Sequence, residues 1–218
     1  MENILNADSN TLAATKKRQL ATMNDTFERL FNVLRKNGSA TEISVTDLEI
    51  DFELISPKRN DIIEKSGRIP DYLYFIGDGY LRLFQYDNQG DEMTTKIGCP
   101  DSFITSYLSF ANKEIANENL ECITDCNLLR INRDKLLDLI NKHESFKRFS
   151  LVIFENAMKD LQIRANDFAI FTATERYKNL ITGNPQIVQN VPMQYIASYL
   201  GIKPQSLSRI RTEISSQM

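Results

Sequence analysis

The chain has 218 residues and a mass of 25.1 kDa, with 42% hydrophobic and 25% charged side chains and a net charge of −3. This fits one medium globular domain plus a small one, at about 150 residues per domain, and no window approaches the ~18 apolar residues of a membrane span or the apolar run of a secretory signal. A cytoplasmic protein with no membrane partner is therefore expected, and three cysteines, Cys99, Cys122 and Cys126, fit a reducing compartment.

Residues 1–24 are polar, carry the basic trio Lys16, Lys17 and Arg18, and read as a flexible N-terminal arm. From Asp25 the spacing of Phe27, Leu30, Phe31 and Leu34 is helical, and Asn37-Gly38 ends it. Short β-rich runs then recur at Phe52 to Ile55, Asp61 to Glu64, Tyr72 to Ile76, Tyr80 to Tyr86, Glu92 to Ile97 and Leu120 to Ile131. Turn residues punctuate them, which predicts an antiparallel sandwich or barrel rather than a βαβ unit. Asp87-Asn88-Gln89-Gly90 reads as the turn of a hairpin. Cys122 and Cys126, four apart in the last run, are expected on one strand face as buried packing.

From Asp134 the period becomes helical, and after His143-Glu144 a longer helix runs to about Phe171. Phe149, Ile153, Ala157, Leu161, Ala165 and Phe168 form one stripe, widened by Leu151, Phe154, Met158 and Ile163. One reading is that this surface packs only on its own sandwich; the other is that part of the stripe meets its twin in a symmetric dimer. Thr174 is placed to cap a helix through Leu180, Gly183-Asn184-Pro185 turns the chain, and Gln186 to Val191 reads as a short strand.

The last segment carries the clearest pattern. Ile196, Ala197 and Leu200 form a helix face over which a second helix can cross closely. Gly201 supplies the sharp turn, Ile202 plugs the corner and Pro204 starts the second helix. Leu207 and Ile210 turn inward, leaving Lys203, Gln205, Ser206, Ser208, Arg209 and Arg211 outside. This is a helix-turn-helix, whose second helix enters the major groove of double-stranded DNA. Arg209 can read guanine O6 and N7 in a bidentate pair, Gln205 can read adenine, Lys203 and Arg211 can hold phosphates, and Ser206 and Ser208 complete the polar face. Charge distribution agrees: from Arg164 onward six basic residues face three acidic ones, about +3, which leaves about −6 on the rest.

The residues so arranged resemble the Crp/Fnr transcription regulators related to the cyclic-AMP receptor protein, over roughly Val45 to Ile214. The resemblance rests on Pro57 to Gly67, Tyr72 to Gly79 and Thr124 to Ile131 in the first half, and on Leu200-Gly201-Ile202 and Gln205 to Arg209 in the second. It implies an α+β fold: a cyclic-nucleotide-binding-type β jelly roll within residues 25–143, a dimerisation helix at 144–171 and a winged-helix-like helix-turn-helix unit at 172–218. The usual C-terminal wing is expected to be missing. RNA polymerase is a further partner the resemblance implies.

Two departures modify these expectations. In the family an acidic residue precedes the recognition-helix Ser or Thr; Gln205 stands here instead, so DNA binding carries over but the target sequence does not. The family's phosphate cassette, Phe-Gly-Glu and then Arg-Ser/Thr-Ala, aligns with Phe103-Ile104-Thr105-Ser106 and Ala116-Asn117-Glu118. Thr105 and Ser106 replace the glycine and glutamate, Asn117 lies where the arginine is expected, and Glu118 adds repulsion. Losing a charge-assisted bond to phosphate removes about 1.5–3 kcal/mol, so cyclic AMP is not the expected ligand. A different small effector in the same cavity and a pocket filled by side chains both stay open.

Three cysteines are too few for the usual iron–sulfur ligand set, and His143 stands alone as a histidine, so no metal and no cofactor are expected. Without a Gly-rich phosphate loop, a metal-ligand cluster or a nucleophile–base pair, the chain does not read as an enzyme. The reading is a homodimeric regulator binding a two-fold-related DNA site. Its competitor is a ligand-sensing module whose C-terminal helices bind a protein partner rather than DNA.

Overall fold

The computed structural model describes residues 20–36 and 44–216. The N-terminal arm up to residue 19 lies outside the described residues, but residues 20–24 already belong to a helix, α1, running over 20–36. Phe27, Leu30 and Leu34 bury one face of it, with Met23 packed beside them, as the spacing of apolar residues requires. A short helix, α2 (Val45–Asp51), adds Leu48 to the same core.

Among the described residues eight strands follow: β1 (Glu53–Ile55), β2 (Ile62–Glu64), β3 (Tyr72–Asp78), β4 (Leu81–Tyr86), β5 (Glu92–Gly98), β6 (Ser102–Ile104), β7 (Asn119–Cys122) and β8 (Asn127–Asn132). They form two four-stranded antiparallel sheets in the orders β1-β8-β3-β6 and β2-β7-β4-β5, the expected jelly roll. The hairpin at Asp87 to Gly90 joins β4 and β5. A helix, α3 (Tyr107–Asn112), interrupts the roll between β6 and β7. The run read as one strand from Leu120 to Ile131 is two, β7 and β8, in opposite sheets. Cys122 ends the first and Cys126 lies in the connection, so they are not neighbours along one strand, although both thiols are buried and free.

Three cores hold the molecule together. One lies between the sheets, around Tyr74, Ile76, Leu81, Leu120 and Leu128. A second packs α1 and α2 on the outer face of the β3–β8 sheet, joined by α4 (Arg133–Lys142) and by Phe146 and Phe149 of α5 (Glu144–Ile170). The third belongs to the C-terminal helices, α6 (Ala173–Gly183), α7 (Pro185–Asn190), α8 (Met193–Tyr199) and α9 (Pro204–Ser215), but also takes in Tyr80, Ile97 and Ile123 from the roll.

Two local expectations are corrected here. Thr172, not Thr174, caps α6: its hydroxyl accepts from the Glu175 N–H while the Glu175 carboxylate accepts from the Thr172 N–H, a capping box. Gln186 to Val191 is not a strand. Pro185 sits at the first helical position of α7, Ile187 is buried on it, and Val191, the extended residue that ends it, is buried in the same core.

Helix α5 is 27 residues long, about 40 Å at the α-helical rise. The stripe expected on it divides into two. Phe149 and Ala157 are buried, with Ile153 packed beside Phe149, whereas Leu151, Phe154, Leu161 and Phe168 are exposed. Leu151, Phe154, Met158, Leu161, Ala165 and Phe168 recur at alternating steps of three and four, a heptad seam on the outer side of the helix.

Candidate functional site

Helices α8 and α9 cross at a turn built on Gly201, whose φ of 68° lies in the left-handed region. A Cβ here would come within 2.6 Å of the Phe168 ring, so the position also requires the close approach that only glycine permits. The Ile202 N–H reaches back to the Ala197 carbonyl, and Pro204 opens α9. Ile196, Ala197, Leu200, Leu207, Ile210 and Ile214 are buried between the helices. Lys203, Gln205, Ser208, Arg209 and Arg211 are exposed on the outer side of α9, with Ser206 half-buried at its edge. One of this set is already engaged: the Lys203 ammonium lies 2.6 Å from the Asp91 carboxylate at the β4–β5 hairpin. That bond raises the Lys203 pKa. Arg211 extends along α9 toward the Met193 sulfur, 3.7 Å away.

The same hairpin grips α8. Ser198 Oγ accepts from the Thr94 N–H and donates to the Glu92 carbonyl, both at 2.8 Å. Arg82, buried in β4, pairs with Glu121 and Glu92 at 2.5 Å and stacks between the rings of Phe84 and Tyr195. Asn190 donates to the Tyr80 hydroxyl. The helical unit is therefore seated on the roll through side chains that the sequence pattern did not single out. Their partners lie more than a hundred residues away, and no local spacing marks them.

Between the β4–β5 sheet, α5 and helices α6 to α8 lies a cavity of about 660 Å³. The three cassette residues line it, and two of them are engaged within the protein. Thr105 is buried and donates to the Tyr72 carbonyl, Ser106 donates to a Glu118 oxygen at 2.8 Å, and Asn117 is exposed at the rim. Thr95 also donates to Glu118, so a carboxylate occupies this wall. Lys96 pairs with Asp160 of α5 at 3.0 Å.

The opposite wall holds what sequence reasoning missed, Arg164 of α5 and Arg176 of α6. Arg164 donates to the Thr94 carbonyl and lies over the rings of Phe168 and Tyr199; Arg176 donates to the Phe171 and Leu200 carbonyls and lies on the Phe168 ring too. Burial depresses the Arg164 pKa, and the neighbouring Arg176 charge adds to this. The one signal in the sequence is a lone arginine within an apolar stripe. Among the described residues no group of three or more His, Cys, Asp and Glu is placed to hold a metal ion, and no helix is long and apolar enough to cross a membrane.

Residues 55–143 match the cyclic nucleotide-binding domain family. No curated protein matches the chain by sequence. Among solved structures, FixK2 from Bradyrhizobium japonicum superposes with a TM-score of 0.66 at 15% identity, covering 76% of this chain and 85% of that one. A CooA mutant from Carboxydothermus hydrogenoformans gives 0.66 at 13% identity, covering 86% and 84%. A protein described as a transcriptional regulator of the Crp/Fnr family, from Eubacterium rectale, gives 0.61 at 13% identity, covering 78% and 81%. The roll, the long helix and the terminal helix pair thus identify a cyclic nucleotide-binding-type domain joined to C-terminal helices in the fold of the Crp/Fnr regulators.

Proposed function

We propose that the protein is a homodimeric transcription regulator that binds double-stranded DNA through α9, with an effector other than cyclic AMP. The observation that carries this reading is the segregation of α9. Leu207, Ile210 and Ile214 are buried, while Gln205, Ser208, Arg209 and Arg211 stand exposed beyond a left-handed glycine turn. Arg209 and Gln205 read base edges; Lys203, Arg211, Ser206 and Ser208 hold the backbone or adjacent bases.

The exposed seam of Leu151, Phe154 and Leu161 supports pairing of two chains along α5. Two α9 helices so related reach half-sites about 34 Å apart. The division of labour is sensing in residues 25–143, pairing in 144–171 and reading in 172–218. Against cyclic AMP stands the cassette wall, where the Glu118 carboxylate is held by Thr95 and Ser106 and no arginine is present.

Selecting random duplexes with the purified protein, then measuring fluorescence anisotropy at two salt concentrations, tests the reading. A two-fold-related site whose affinity falls with added salt is expected. Recovery of no shared sequence, with no salt-dependent affinity, would reject it in favour of a module whose terminal helices bind protein.

A further inference from the structure

We propose that the cavity between roll and helices is an anion site, and that Arg164 and Arg176 receive the anionic group of the effector. The effector role rests on the regulator reading; the anion site does not. Three observations converge on it. Both guanidinium groups line the cavity, and they bracket one ring, Phe168, at 4.9 and 4.6 Å. Among the described residues, neither forms an ion pair with a carboxylate: Arg164 donates to the Thr94 carbonyl and to the Tyr199 hydroxyl, and Arg176 donates to the Phe171 and Leu200 carbonyls. Nη1 of Arg164 and Nε of Arg176, both shielded from solvent, have no hydrogen-bond partner among the described residues.

Two like charges gathered in a partly buried place with no ion-paired carboxylate, and only Glu118 acting on Arg164 from the facing wall, are costly, and an anion bound between them relieves that cost. The carboxylates of the wall do not supply it. Glu118 is held by Thr95 and Ser106, Asp160 by Lys96, and Asp167 pairs with neither arginine. The negative wall at Glu118 repels an anion, so a ligand is oriented with its charged end toward α5 and α6, away from the cassette. Guanidinium pairs favour planar or tetrahedral oxyanions, through bidentate hydrogen bonds. The ligand is therefore a small molecule carrying a phosphate or carboxylate group. Phe168 also touches the position of Gly201, so whatever rests on these arginines adjoins the turn that aims α9.

Thermal unfolding of the whole chain tests this, with pyrophosphate and citrate as probes against sodium chloride at matched ionic strength. A concentration-dependent rise in Tm with either probe is expected, and Arg164→Gln and Arg176→Gln should each weaken the apparent affinity at least tenfold. Response to pyrophosphate alone assigns a phosphoryl ligand, and response to citrate alone assigns a polycarboxylate. No rise with either probe, or an equal rise in the variants, overturns the proposal. A second measurement guards against variants that fail to fold. The chain has no tryptophan, so Tyr199→Trp places a sole fluorophore against Arg164; its emission should change on titration with the responding probe, and unchanged emission overturns the site. If anion binding is found but no duplex binds either with or without the responding probe, the site stands and only its role as an effector site falls.

Discussion

Arg209 stands in the second turn of α9, exposed, one residue before the buried Ile210 that anchors its side of the helix. In the DNA-binding reading, a guanidinium held this way on a packed helix loses little freedom on meeting a guanine, so its removal should be felt as lost discrimination as well as lost affinity. Arg209→Ala is expected to cost about 1–3 kcal/mol and to relax preference at one base pair, read by gel shift against a set of single-base variants. Unchanged affinity with unchanged preference would show that another residue does the reading. Gly201 is as exacting for a different reason. Gly201→Ala forces a side chain into a left-handed backbone and against the Phe168 ring. A loss of about 1–3 kcal/mol in unfolding stability is expected, measured by denaturant titration; full stability would mean that the turn tolerates far more than its geometry indicates.

Three residues of the β4–β5 hairpin make polar contacts with the C-terminal helices: Asp91 with Lys203, and Glu92 and Thr94 with Ser198. Asp91 occupies the ammonium that, in the DNA-binding reading, belongs to a phosphate. Asp91→Asn should free it and raise DNA affinity by up to about fivefold, the range of an exposed ion pair of up to ~1 kcal/mol. Anisotropy would show this, and weaker binding would mean that the contact aligns α9 rather than restraining it.

Elements also differ in how far their sequence reveals them. The α8–α9 pair was legible because its signals are local: a glycine turn, a proline start and apolar residues three or four apart. Strand β6, with three residues, and helices α2 and α3, with seven and six, are too short to show a period. Helix α7 reads as a strand because Ile-Val between glutamines suits either form, and only the packing of Ile187 and Val191 in the C-terminal core decides. Arg164 and Arg176 escaped because what defines them, Thr94 and Leu200, is brought near only by the tertiary fold.

At the scale of the molecule, the α5 seam predicts assembly. Leu151, Phe154 and Leu161 are exposed along the helix, and an apolar row of this length stays in water only at a cost of about 25 cal/mol per Å². Pairing removes it. The double variant Phe154→Glu, Leu161→Glu should shift the protein from dimer to monomer by light scattering, with helix content retained by circular dichroism. A dimer that survives both charges would place the interface elsewhere.

The third core has a consequence for modularity. Tyr80, Ile97 and Ile123 of the roll are packed among Tyr177, Leu180 and Leu207 of the terminal helices. The C-terminal helical unit is thus not a detachable cassette. A chimera that exchanges residues 172–218 for the equivalent part of a relative would confront these three side chains with a surface cut for others, and it should melt earlier than either parent. Changing what such a protein recognises is then a matter of altering individual side chains on α9, with the helices beneath it left in place.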